Sequence, residues 1–185
     1  MMKLNSETYE YIKNTVADMY EECGIHEIPI SPFRLAPKMG ISIIPYSSLD
    51  EEAKAEALRY SPDGFSLETI DNKWCIYYND DSLDIPRIHQ TIMHEIGHYI
   101  LGHTEEGKVE EAEAKFFAKY SLAPTPLIHA LLDEKNVERI MATFNIGFQA
   151  ASIAKENYEK WVNYGPATYT DYEQKILMQL GIEIE

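Results

Sequence analysis

The run 91–103, TIMHEIGHYILGH, holds two histidines four residues apart with a glutamate beside the first: His94-Glu95-Ile96-Gly97-His98. Four residues advance a helix by about 400°, so His94 and His98 share one face about one turn apart. Two imidazoles at that spacing reach one metal ion. Glu95 sits next to the first of them and projects toward a water held on that ion, where a carboxylate can act as a base. The H-E-x-x-H pattern requires a helix, and residues 86–101 read as one from their periodicity, with Pro86 at the start and Gly102 at the end.

A catalytic zinc site usually has three protein ligands and an open position. The third is sought in the acid-rich stretch 104–124, which reads as a second helix from about 107 to 121. Gly102 and Gly107 let the chain turn between the two helices. The candidates are Glu110, Glu111 and Glu113. The stripe through Glu111 continues as Ala114, Ala118 and Leu122, and its small residues permit close approach to the histidine helix. The stripe through Glu110 runs to Glu113 and bulky Phe117. Glu111 is therefore the expected ligand, with Glu110 and Glu113 read as solvated surface. His103 and His89 each stand five residues from a motif histidine, well off the metal-facing line. His103 is expected to orient a side chain, contact substrate or cap the helix. His26 and His129 lie in unrelated segments.

These residues need elements to hold them. Residues 6–22 read as a helix capped by Ser6, 32–39 as a short helix opened by Ser31-Pro32, and 41–44 as a strand. A short charged helix over 50–59 leads through the turn 61–64 to a hairpin over 65–79. After the two metal helices, short helices are expected at 126–132 and 134–142, then longer ones at 147–161 and 170–180. Asn79-Asp80-Asp81 reads as a turn that could border a groove. Tyr77, Tyr78, Tyr158, Tyr164, Tyr169 and Tyr172 are possible cleft residues among 13 tyrosines. The expected organisation is one α+β domain over 1–185: an N-terminal helix and small sheet in 1–83, and a mainly helical half in 84–185.

With 185 residues, one core can form without disulfides, and the two cysteines, Cys23 and Cys75, suit a reducing compartment. Lys plus Arg number 16 against 31 Asp plus Glu, a formal charge of -15. That opposes binding to nucleic acid or to anionic membranes. No apolar run approaches a membrane span, and the acidic N-terminal stretch does not read as a signal peptide. The cytoplasm is the expected location.

The runs HQTIMHEIGHYILGH and EEAEAKFFAKYSLAP resemble the ImmA/IrrE family of bacterial and phage metallopeptidases. The similarity extends over about 25–160, through SPFRLAPKMGISIIPYSSL, the hairpin strands and FNIGFQAASIAKENYEKW. The resemblance implies a zincin-like fold, Zn2+ held by His94, His98 and Glu111, and Glu95 as catalytic base. It also implies a cytoplasmic endopeptidase whose protein partner is a helix-turn-helix repressor. Two departures stand out. Lys115 occupies a position where relatives commonly carry Asn or Asp, and His89-Gln90-Thr91 stands where relatives often carry Arg-Phe-Thr. The alternatives are a non-enzymatic, metal-stabilised interaction module or antirepressor, and another metal-dependent hydrolase such as an amidase. The chain has no helix-turn-helix signature, so DNA binding would fall to a partner.

Overall fold

A computed structural model describes residues 3–81, 84–105 and 107–184. Helix α1 (Ser6–Glu22) is capped by Asn5, whose side chain accepts from the Thr8 amide at 2.8 Å. The cap therefore lies one residue before the expected Ser6. Pro32–Leu35 forms a single α-helical turn, α2, which tightens into a 3-10 turn over Ala36–Met39. The expected short helix over 32–39 is thus helical throughout but changes pitch at Ala36, where Pro37 has no N–H to donate and its ring crowds the preceding turn. Strand β1 (Ser42–Pro45) follows, then α3 (Glu51–Tyr60), β2 (Gly64–Glu68) and β3 (Trp74–Tyr78).

The three strands form one sheet in the order β1-β3-β2. β2 and β3 are the expected hairpin, antiparallel with Gly64 opposite Tyr78 and Glu68 opposite Trp74. β1 pairs parallel to β3, with Ser42 opposite Cys75 and Pro45 opposite Tyr78. β2 is thus left as an edge strand. The 79–81 turn does not border the cleft described below. Asp80 instead accepts from the Ser47 amide at 2.9 Å, and Lys54 pairs with Asp81 at 2.8 Å, which ties α3 to the sheet.

The remainder is helical: α4 (Ile85–Ile100), α5 (Lys108–Leu122), α6 (Thr125–Leu131), α7 (Val137–Phe144), α8 (Phe148–Tyr164) and α9 (Asp171–Gln179). α7 starts at Val137 and not at the expected 134, because Asn136 caps it by accepting from the Arg139 amide at 2.9 Å. The chain is α+β, with one hydrophobic core running from α1 through the sheet and α4–α5 to α9. Within it, the buried Tyr20 hydroxyl of α1 donates to the Ser121 carbonyl of α5 at 2.6 Å. α9 packs on α1, and Lys175 bridges Asp18 and Glu21 across that seam.

α4 and α5 pack closely. A Cβ on Gly97 would meet Phe117 Cδ1 at 3.0 Å and Ala114 Cα at 3.3 Å. Glycine inside a helix costs about 1 kcal/mol relative to alanine. Its presence inside the motif is explained by this approach. Ala114, Phe117 and Ala118 are all fully buried, so both of the α5 stripes read from the sequence face the core.

Candidate metal centre

Asp84 caps α4 by accepting from the Arg87 amide, and Pro86 fits the first turn, where no N–H is needed. One face of α4 then buries Ile88, Ile92, Met93 and Ile96. That burial fixes the helix rotation and turns His94 and His98 toward α5. His94 Nε2 and His98 Nε2 face each other at 3.2 Å. Glu111 Oε1 lies 3.5 Å from the first and 3.3 Å from the second. Tetrahedral ligands about 2.0–2.1 Å from one ion stand about 3.3 Å apart. The three atoms form a nearly equilateral triangle of that size, so the donor set fits a zinc ion. Two imidazoles and one carboxylate also match its ligand preference. Glu110 and Glu113 are not part of the triangle.

The electrostatics suit the same reading. Burial, then the neighbouring His98, holds the His94 pKa down at about 4 against the opposing pull of Glu111. The ring is therefore neutral at physiological pH, with a lone pair to give. Burial pushes the Glu111 carboxyl up, but the Lys115 hydrogen bond and the charges of His94, Lys115 and His98 outweigh it, and the net shift is downward. Lys115 Nζ donates to Glu111 Oε2 at 2.6 Å. One carboxylate oxygen thus faces the histidines while the other is held by the lysine. This is the structural content of the Lys115 departure.

Glu95 is buried beside the triangle, and Ser66 Oγ of β2 donates to its Oε2 at 2.6 Å. Ser66 reaches it because β2 lies tightly against α4. A Cβ on Gly64 would stand 2.7 Å from Thr91 Cγ2. Sequence reading did not find Ser66; a serine flanked by Phe65 and Leu67 in a strand was the available signal. These groups open into a cleft of about 710 Å³ between the edge strand and α4–α5. Gln90 and Thr91 line it, so the second sequence departure does fall at the cleft. The tyrosine in its lining is Tyr60, which was not among the six expected candidates.

The structure places His103 against a motif side chain, one of the roles expected of it, and corrects Glu113. α4 ends in a return turn: Gly102 takes φ 68°, its N–H reaches the Tyr99 carbonyl, and the His103 N–H reaches the His98 carbonyl at 3.0 Å. His103 thereby folds back under His98, with Nδ1 to Nδ1 at 3.0 Å. Its Nε2 lies 3.0 Å from Glu113 Oε2, so Glu113 is a partner of the site and not solvated surface. His89 packs against Phe33, away from the triangle.

A search of curated proteins returns no match. The family profile described as the IrrE N-terminal-like domain matches residues 38–154, more than half of the chain, and covers β1 to the middle of α8. The match includes the whole H-E-x-x-H helix, the partner helix and the strand that carries Ser66. The helix pair, the three-stranded sheet and this match together make the chain a member of the ImmA/IrrE peptidase family, with its zincin-like α+β fold.

Proposed function

We propose that the protein is a zinc-dependent endopeptidase that hydrolyses a peptide bond in a cytoplasmic protein partner, a helix-turn-helix repressor. The observation that carries this reading is the triangle of His94 Nε2, His98 Nε2 and Glu111 Oε1 with Glu95 alongside, held by Ser66. A structural metal site needs ligands but no base, and a buried, oriented carboxylate beside the ligands favours catalysis.

A zinc ion held by His94, His98 and Glu111 would supply Lewis acidity and make a water acidic enough to attack near neutral pH. Glu95 accepts the proton of the attacking water as its oxygen bonds to the scissile carbonyl carbon, and returns it to the departing amine. Ser66 donates to one Glu95 oxygen, which helps to orient the carboxylate. Gly64, Phe65 and Ser66 of edge strand β2 line the cleft, so an extended peptide can pair with its backbone and present one carbonyl to the site. The charge of -15 favours a basic polypeptide over a nucleic acid. Among the described residues no helix is long and apolar enough to cross a membrane.

The test is incubation with the repressor encoded beside its gene, comparing wild type with Glu95→Gln, with bound zinc measured on both. Glutamine preserves size and cannot take the proton. Zinc is expected to be retained and cleavage to fall about 10²–10⁴-fold. Wild-type cleavage by the zinc-loaded variant removes Glu95 from the mechanism. Undiminished repressor inactivation without cleavage by the variant establishes the binding module instead.

A further inference from the structure

We propose that His103 and Glu113 form a relay that fixes the tautomer and orientation of His98, so that its Nε2 lone pair is presented to the metal. This rests on the metal-site reading above and adds two positioning residues to it. His98 Nδ1 and His103 Nδ1 lie 3.0 Å apart, and His103 Nε2 lies 3.0 Å from Glu113 Oε2. His103 is 7% exposed and His98 12%, so water competes little for these bonds.

The donor inventory orders the protons. His98 Nε2 is the atom facing His94 Nε2 and Glu111 Oε1, so as a ligand it is bare. A neutral imidazole bare at Nε2 carries its proton on Nδ1. That N–H donates to His103 Nδ1, which must be bare in turn. The His103 proton then sits on Nε2 and donates to the Glu113 carboxylate. The reverse order aims a proton from His98 Nε2 into the triangle. It also sets a bare His103 nitrogen against a carboxylate oxygen at 3.0 Å, two acceptors in contact. Between neutral rings, Glu113 therefore disfavours the tautomer that cannot bind metal. Outer partners of this kind typically carry about 10–100-fold of metal affinity.

The experiment measures zinc affinity of the full chain by chelator competition, together with the visible absorption of the cobalt-loaded protein and the thermal midpoint. His103→Leu keeps apolar bulk and removes both nitrogens, and is expected to weaken zinc about 10–100-fold and shift the cobalt bands. His103→Asn places an acceptor oxygen where Nδ1 stands, and is expected to recover most of the affinity and the wild-type bands. Glu113→Ala should weaken zinc in the same direction, and it carries the test alone if His103→Leu does not fold. Glu110→Ala should match wild type. Wild-type zinc affinity in His103→Leu or Glu113→Ala overturns the relay. So does an Asn variant no better than Leu, because the ring then acts through packing. A wild-type chain that binds no zinc overturns the metal reading itself, and the relay falls with it.

Discussion

At the scale of single residues, the site depends on which atoms are kept neutral and which are held in place. Ser66 acts on Glu95 through one hydrogen bond to a charged group, a kind worth about 1.5–3 kcal/mol. Ser66→Ala is expected to keep zinc and lower kcat about 10-fold or more with little change in KM, measured on the cognate protein. A variant with unchanged kcat would show that the base is oriented without Ser66. His94 gives a pH signature. Its folded pKa is held down at about 4, chiefly by burial, whereas the unfolded ring titrates near 6.5. Between those values the unfolded chain binds a proton that the folded chain refuses, so stability falls as pH falls through that window. In chelator-treated protein the thermal midpoint should drop between about pH 7 and pH 4.5. His94→Gln should flatten part of that drop, and an unaltered slope would mean that burial does not oppose protonation of this ring.

At the scale of elements, the helix pair shows what the sequence discloses and what it conceals. The two histidines of α4 and the small residues Ala114 and Ala118 of α5 were legible because both follow the helical repeat. That repeat also selected Glu111. His103 was not legible by the same rule. Counting at 100° per residue assumes a helix that continues, and α4 stops at Ile100. The left-handed Gly102 reverses the chain and brings His103 beneath His98, with Glu113 reaching it from the next helix. The parallel pairing of β1 with β3 was hidden for a related reason. The strand runs mark local structure, while the pairing depends on where α3 returns the chain. Gly97 tests the helix contact directly. Gly97→Val must push α4 from Phe117 and Ala114, at about 1–3 kcal/mol for overpacking. A lower thermal midpoint and weaker zinc binding are expected together. A lower midpoint with unchanged zinc affinity would mean that the ligands tolerate the separation.

At the scale of the whole molecule, the family match ends at residue 154 while the fold does not. α9 lies on α1, and the Lys175 bridges and the buried Tyr172, Ile176 and Leu177 close the far side of the core. The net charge acts at longer range. If the -15 steers a basic partner, association should slow about 10-fold or more as salt rises from about 50 to about 500 mM. The Glu95→Gln protein serves as a non-cleaving trap in that measurement, and a salt-independent on-rate would reduce the charge to a solubility feature. The contact of α4 with α5 has a consequence of another kind. His94 and His98 come from one helix and Glu111 from the other, so the candidate ligand set exists only while the two are docked. An ion that binds the docked pair alone shifts the folding equilibrium by mass action, about 2.7 kcal/mol at a free concentration 100 times its Kd. If that ion is the proposed zinc, the free zinc level around the chain becomes a term in how long each copy survives.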